Sequence, residues 1–483
     1  MQRSLGALVS KRNTHGNSMR KAKLSGVLFL SLVVFAFLTA EAGALRVQVV
    51  GDRLTLEAEK VPLQNILARL EQEGIKARID PEINPPVSAS FKDRDIQKAL
   101  EFILRDLDYV LLWESIQGPR GRIPKLSEIQ VFRPGRKDLM RPLRTRRILA
   151  VARNPEDGSY YVRDEILLKL KPGTDLQKVE ALLAKWGGRV VDSYVALGIY
   201  RVRLPEGSDV PALIKEFQET LGQGSAEPNF ACPMPRSPEP PALSPVDPTL
   251  SPGENPVPVA VIDSGLSPQV RMDRQVLASL DALNPDMPIS DEEGHGTQMA
   301  LIAAGLVKPM GTKGDAEPQA SIIPIRAFDD NGFTSNFILL ESIEFALEHG
   351  ARVMSLSWGT ETQSDFLEDA LEAASSRGMV IVASAGNEPT GQPRYPAAYS
   401  SVIGVGALGP DGKRWEKSNT GDFVALYAPG FASMPVGYRG DAGIYAGTSI
   451  SAAFVANRIA SILTRNPGAT REEIIKALQD GKD

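Results

Sequence analysis

Residues 447–456 read GTSISAAFVA, and this stretch decides the fold expected for the C-terminal half of the chain. A glycine comes first, Thr448 and Ser449 follow, and the rest is mostly small or apolar. The pattern predicts a buried helix with a serine in its first turn. A hydroxyl there lies among unpaired backbone N–H groups, which favour developing negative charge. The alternative interpretation is an ordinary serine N-cap, which needs no chemistry.

A serine becomes a good nucleophile when a base takes its proton, and the chain has three histidines. His15 lies in a basic N-terminal segment. His349 stands in EHG, which is typical of a helix end. His295 lies in DEEGHGTQMALIAAGL, where two glycines allow a tight turn before an apolar helix. His295 is therefore the candidate base.

An imidazole base needs a carboxylate to fix its tautomer, and Asp263 is the candidate. It follows the apolar run Val259–Ile262 in PVAVIDSG, which predicts a buried parallel strand. An acid at the C-terminal end of such a strand lies where open α/β sheets place their sites. A purely structural aspartate at a strand end is the alternative.

Taken together, IDSG, GHGT and GTSISA occur in an order that resembles the subtilisin family of serine proteases. The resemblance extends over residues 257–467 and implies a catalytic triad of Asp263, His295 and Ser449. It implies an acyl-transfer mechanism that uses no cofactor and no catalytic metal, and it leaves a structural calcium ion open.

The same resemblance assigns two further parts of the site. In SAGNE, Asn387 matches the family's side-chain oxyanion donor. Ser357, Trp358 and Gly359 match the family's substrate-binding strand. Trp358 is larger than the leucine common there, and we expect its indole to form a wall of the substrate groove.

Residues 257–483 alternate between apolar strands and helical patterns, which predicts an α/β fold: a subtilisin-like parallel sheet with helices on both faces. Two small α+β domains are expected before it. Residues 161–232 give the order βαββαβ of a ferredoxin-like fold. KLKPG and AEPNF within them resemble the inhibitory propeptide of subtilisins. The proline-rich residues 233–256 predict an extended linker, and we expect self-processing between Phe230 and Val257.

Residues 43–132 predict the other α+β domain, which resembles the short N-terminal domain of secretins and TonB-dependent receptors. This resemblance implies an envelope protein partner. The basic residues 133–160 are expected to be a solvated linker, and a processing site at residues 144–147 is the alternative.

Residues 1–42 combine a basic start with the apolar run Leu24–Ala40, which indicates an export signal. Cleavage after Ala42 and retention as an anchor both fit this pattern. The chain is thus expected in the periplasm, the cell envelope or the extracellular space.

The composition excludes some classes of protein. The 483 residues include 54 basic and 59 acidic side chains, so nothing favours nucleic-acid binding. The single cysteine, Cys232, allows no internal disulfide. The sequence therefore predicts an exported serine endopeptidase of polypeptides, made as a self-processing zymogen with its own propeptide. The alternative is an envelope binding protein with a catalytically silent protease scaffold.

Overall fold

The N-terminal part of the described chain forms two small sheets and two helices. The computed structural model describes residues 45–143, 145–235, 257–312, 319–436 and 442–480. The expected export signal lies outside these ranges, as does residue 144. The first domain contains β1 (Arg46–Val50), β2 (Arg53–Pro62), α1 (Leu63–Gln72), β3 (Lys76–Ile79), β4 (Pro86–Asp95), α2 (Ile96–Ile103), β5 (Asp108–Gly118), β6 (Gly121–Phe132) and β7 (Arg141–Pro142). Its sheets have the orders β1-β2-β4 and β5-β6-β3-β7.

The second domain has the predicted βαββαβ order. It contains β8 (Val151–Arg153), β9 (Tyr160–Lys169), α3 (Leu176–Trp186), β10 (Arg189–Tyr194), β11 (Ile199–Arg203), α4 (Val210–Leu221) and β12 (Ala226–Pro233). β12 lies beside β9, and β8 pairs antiparallel with the first three residues of β9. Apolar residues of α3, α4 and the sheet form one core.

The third domain is the predicted α/β unit. Its elements are β13 (Val259–Asp263), β14 (Leu280–Asp281), α5 (His295–Ala303), β15 (Ile322–Arg326), β16 (Phe333–Ser335), α6 (Asn336–Glu348), β17 (Val353–Leu356), α7 (Asp365–Ser376), β18 (Val380–Ser384), β19 (Val402–Leu408), β20 (Val424–Pro429), β21 (Phe431–Met434), β22 (Gly443–Ala446), α8 (Thr448–Arg465) and α9 (Arg471–Asp480). The main sheet has the order β14-β15-β13-β17-β18-β19-β20, and every neighbouring pair is parallel.

Helices cover both faces of this sheet because successive strand side chains point to opposite sides. Val259 and Val261 pack with α5 and α8, whereas Ala260 and Ile262 pack with α6 and α7. A strand buried on both faces is apolar throughout, as the sequence indicated. No helix within the described ranges is both long and apolar enough to cross a membrane.

Part of the expected linker 133–160 is structured rather than solvated. β7 pairs with β3, and β8 pairs with β9. Between them, residues 145–149, here called the strap, lie against the third domain. Leu149 is buried, and its N–H donates to Asp329 Oδ2 at 2.7 Å. The interpretation of this stretch as a solvated segment is therefore wrong, because its polar groups bond to a domain distant in sequence.

The second domain caps two helices of the third domain. Asn229 Oδ1 accepts a hydrogen bond from the Phe337 N–H in the first turn of α6. The buried Glu227 accepts from Asn336 Nδ2 at 3.2 Å and from Ser364 Oγ at 2.6 Å, at the starts of α6 and α7. Burial raises the pKa of Glu227 to about 8, although these hydrogen bonds act in the opposite direction.

Glu227 should make this docked arrangement weaker as the pH rises. Because its docked pKa of about 8 exceeds the ordinary 4.5, its contribution is complete below about pH 4.5 and is lost as the pH rises through about 8. The slope is at most about 1.4 kcal/mol per pH unit. The measurement uses the Ser449→Ala chain, in which the expected self-processing cannot occur. Its thermal unfolding is compared with and without Glu227→Gln between about pH 4.5 and pH 8, and the difference isolates the contribution of Glu227. Identical pH dependence in the two chains would contradict it.

Candidate active site

Asp263 and His295 form a buried hydrogen-bonded pair. Asp263 ends β13 and His295 begins α5, and both are at most 2% exposed. His295 Nδ1 lies 2.7 Å from Asp263 Oδ1. Burial lowers the pKa of His295, whereas the charge and hydrogen bond of Asp263 and the charge of Asp291 raise it, and the balance lies above the usual value. The carboxylate therefore stabilises the protonated ring.

Glycine at position 296 allows α5 to approach β13 closely. A Cβ atom on Gly296 would lie 2.5 Å from the Gly265 carbonyl oxygen and 2.6 Å from the Gly265 nitrogen. Both contacts involve backbone, which cannot move aside easily. The GHG and DSG patterns in the sequence thus have a common cause, which is the short distance between these two segments.

Asp291 ties the same two segments together, and the sequence analysis missed it. Its Oδ1 accepts from Ser264 Oγ at 2.9 Å and from the Gly294 N–H at 2.8 Å, and its Oδ2 accepts from the N–H and hydroxyl of Thr297. Ser264 Oγ in turn accepts from the Gly296 N–H at 2.8 Å. The signal in the sequence was an acid four residues before His295. Its role depends on contacts with a strand far away in sequence.

Ser449 lies in the first turn of α8, with its side chain buried. Its Oγ donates a hydrogen bond to the Ser357 carbonyl oxygen at 3.0 Å. The N-cap of α8 is Gly447, and no side chain caps it. The alternative interpretation of Ser449 as an N-cap is therefore wrong. Its hydroxyl makes no capping hydrogen bond to the first turn of α8.

Asn387 lies next to Ser449 with a fixed amide orientation. Its Oδ1 accepts from the Thr448 N–H at 2.9 Å and from Thr448 Oγ1 at 3.0 Å. Since a backbone N–H can only donate, the oxygen must face Thr448. Nδ2 then points away from Thr448, toward the side of Gly447, where a Cβ atom would lie 3.4 Å from it. The half-buried amide is thus held in place by the residue that precedes Ser449.

The structure corrects one expectation about residues 357–359. Trp358 is 1% exposed, its Nε1 donates to the Ile262 carbonyl oxygen at 3.0 Å, and its ring packs edge-on against Phe328. The indole lies in the core and does not form a wall of an open groove. The sequence could not indicate that the indole N–H would have a buried carbonyl oxygen as its hydrogen-bond partner. Ser357 and Gly359 flank it on the segment that follows β17.

The remaining two histidines are not part of the candidate site. His349 follows α6, with its ring stacked on Phe345, as expected of a helix end. His15 lies outside the described residues. Within the described ranges, no group of three or more His, Cys, Asp or Glu side chains is arranged to hold a metal ion. The described parts of the chain also border a cavity of about 1440 Å³, open to solvent, between the three domains, but none of the candidate catalytic residues lines it.

Comparison with known proteins identifies the third domain. A model described as the subtilase family matches residues 254–480. Subtilisin from Bacillus pumilus is 32% identical over 228 residues, which are 46% of this chain and 82% of that protein. The chain belongs to the subtilase family. This subtilase also resembles two proteins of Bacillus subtilis (strain 168), the minor extracellular protease Epr and Subtilisin E, at 34% and 32% identity over 47% and 46% of the chain. It spans only 36% and 59% of those relatives.

The second domain of this subtilase has a match of its own. A model described as the fervidolysin N-terminal prodomain matches residues 150–229. The crystal structure of fervidolysin from Fervidobacterium pennivorans, a keratinolytic enzyme related to subtilisin, aligns with a TM-score of 0.52 and 24% identity. The alignment covers 68% of this chain and 58% of that one. The alignment supports a common fold. The match of the prodomain model places a prodomain-like segment ahead of the subtilase domain.

Replacing Asp291 should lower turnover in this subtilase. Asp291→Asn loses acceptors for the N–H groups that fix His295, so kcat for peptide hydrolysis should fall roughly 10- to 100-fold through misplacement. Removing its charge should also lower the pKa of His295, which moves the acid limb of the pH profile to lower pH.

The matched control is Glu293→Gln, which removes the same charge from the same loop without breaking those hydrogen bonds. Its kcat and pH profile should match wild type. If Asp291→Asn gave the same kcat and the same acid limb as wild type, Asp291 would have no positioning role.

Proposed function

We propose that this subtilase is an exported serine endopeptidase that hydrolyses polypeptides through an acyl-enzyme and is made as a zymogen. The observation that carries the proposal is the buried 2.7 Å contact between His295 and Asp263, together with Ser449 in the first turn of α8. Three groups with these roles, from three distant segments, are what nucleophilic catalysis by serine requires.

In the proposed mechanism, Ser449 Oγ attacks the peptide carbonyl carbon and His295 accepts its proton. The C–N bond breaks as His295 returns the proton to the leaving amine, and water then hydrolyses the ester by the same route. Asp263 holds the ring and stabilises its charged form. Since Ser449 Oγ donates to the Ser357 carbonyl oxygen before substrate binds, a rotation of the hydroxyl toward His295 precedes attack.

The negative charge on the tetrahedral intermediate needs fixed donors. We assign this role to Asn387 Nδ2 and the Ser449 N–H. Thr448 supports the assignment because it holds Asn387 Oδ1 and so orients the amide before any substrate arrives. Such preorganised donors cost no reorganisation during the reaction.

We propose that the substrate binds as an extended chain along the backbone of Ser357, Trp358 and Gly359. The buried indole of Trp358 leaves the main chain of this segment as its binding group. Addition of a strand to a free edge is a general mode of peptide recognition.

Ser449→Ala should abolish hydrolysis without unfolding the chain. Activity should fall at least about 10⁴-fold, a scale known from subtilisin itself. A fluorophosphonate probe should label wild type and His349→Ala, in which a histidine far from the site is lost, but not Ser449→Ala. Unlabelled wild type that nonetheless unfolds cooperatively would favour a binding protein with a silent protease scaffold.

The zymogen proposal is supported by the second domain. β12 pairs antiparallel with β16 through Ala231–Pro233, and the Met234 N–H then donates to the Gly332 carbonyl oxygen at 2.7 Å. The prodomain thus continues along the third domain as an extended chain. A peptide must be extended to enter a protease site.

Self-processing should therefore occur downstream of this paired segment and before Val257. Purified wild type should yield a fragment that begins within residues 236–256, whereas Ser449→Ala should stay intact. N-terminal sequencing of both proteins tests this. Cleavage of Ser449→Ala at the same bond, with no other protease present, would exclude self-processing.

We propose that the first domain serves as an envelope interaction module, of the type found in secretins and TonB-dependent receptors. An exposed aromatic group supports a docking role. Phe102 is 39% exposed and packs edge-on against Phe91, and Arg94 and Arg105 lie over these rings. Because residues 1–42 resemble an export signal, we propose that the chain is exported. Its partner would then be in the periplasm, the cell envelope or the extracellular space.

A further inference from the structure

The strap places one arginine between two carboxylates of the subtilase domain. Arg146 forms ion pairs with Glu292 and, at 3.3 Å, with Asp330. Its side chain is 32% exposed, and the neighbouring Leu149 anchors the strap through Asp329. Glu292 and Asp330, here called the cradle, thus hold a basic side chain that comes from outside their domain. The processing site considered for residues 144–147 would have to leave this contact before cleavage.

The cradle lies next to the proposed catalytic pair. Glu292 precedes His295 by three residues, in the loop that Asp291 fixes to Ser264. Asp330 Oδ1 accepts from Arg326 Nη2 at 2.8 Å. Arg326 stands directly opposite Asp263 in the β13–β15 register. Both carboxylates are therefore one contact away from the catalytic elements.

The charge of the cradle is incomplete without Arg146. Among the residues that the structure describes, Arg326 is the one cationic partner of Asp330 besides Arg146. Arg326 also binds Asp281 Oδ2 at 2.9 Å. Three carboxylates, Asp281, Glu292 and Asp330, then face one guanidinium. When the strap is withdrawn, two negative charges are left unbalanced beside the site. A cationic group is the complement that such a site favours.

An extended chain already passes along the loop that carries Asp330. The loop leads from Asp329 into β16, which pairs with β12, and Gly332 accepts the Met234 N–H. Asp329 Oδ2 holds the strap on the same loop. A peptide that continues in the direction of β12 beyond Gly332 therefore runs toward Asp330.

We propose that Glu292 and Asp330 form a subsite for a basic side chain of the substrate, and that Arg146 occupies this subsite until the strap is withdrawn. The inference rests on the proposed endopeptidase function and names its substrate class: polypeptides with arginine or lysine at one position near the cleaved bond. Arg146 then occupies the subsite as the basic side chain of a substrate would. It would block substrate binding in addition to any block by the prodomain.

The test compares peptides that contain arginine or citrulline, which has nearly the same shape but no charge. One such residue is moved through each position of a fluorogenic peptide. Wild-type protein and Arg146→Gln, which vacates the cradle, are both assayed after self-processing. At one position arginine should raise kcat/KM at least tenfold over citrulline, and the preference should weaken in high salt because Glu292 is exposed.

Variants assign the preference to the cradle. Glu292→Gln and Asp330→Asn should each reduce the arginine-to-citrulline ratio to within about threefold of one, because a charge-assisted pair is lost. Glu293→Gln, the matched loss of charge in the same loop, should keep the wild-type ratio. Arg146→Gln should also raise hydrolysis by the full chain.

The outcomes separate this inference from the function on which it rests. A chain that hydrolyses both peptides equally at every position, in both backgrounds, is an endopeptidase without this subsite. A preference that persists in both Glu292→Gln and Asp330→Asn places the recognition elsewhere and also overturns the inference. A chain that cleaves no peptide and takes up no fluorophosphonate overturns the inference together with the proposed function.

Discussion

The hydrogen bond between Asp263 and His295 is the constraint on which the rest of the subtilase domain depends. The two residues are 32 positions apart, yet their side chains meet at 2.7 Å with almost no solvent contact. A buried carboxylate is costly unless it is well paired. The pair therefore requires a strand that ends at one place, a helix that begins at another, and glycines where the two segments nearly touch. Gly265 and Gly296 meet this last requirement.

Much of this arrangement could be predicted from the sequence because it depends on local patterns. Apolar runs predicted the parallel strands, and small residues beside Ser449 predicted a buried helix. The order of three motifs indicated the family. Three features could not be predicted in this way: the hydrogen bonds of Asp291, the burial of Trp358 and the ion pairs of Arg146. Each depends on a partner between 27 and 184 residues away that becomes a neighbour only in the folded chain. The secretin-like interpretation of the first domain stays a prediction.

Long-range charge pairs also fix how the first two domains meet. Arg203 binds Glu73 at 2.9 Å and Glu165 at 3.0 Å, and Asp192 binds both Lys125 and Arg201 at 3.1 Å. The charges of Arg201 and Arg203 help to hold the pKa of Glu165 below its usual value, against the opposing effect of burial. Such networks add little net stability compared with apolar packing, but a misplaced domain would leave buried charges unpaired. The network thus favours one relative orientation of the two domains.

The continuation of the prodomain sheet into β16 has a consequence for how long the proposed inhibition would last. While the chain is intact, β12 is tethered beside β16, and a tether of this kind corresponds to an effective concentration on the order of millimolar. Once the connecting segment is cut, the same strand becomes a separate molecule and its occupancy follows mass action. In the proposed zymogen, latency would then depend on protein concentration: a concentrated population of processed molecules would restrain itself, and dilution alone would turn the protease on.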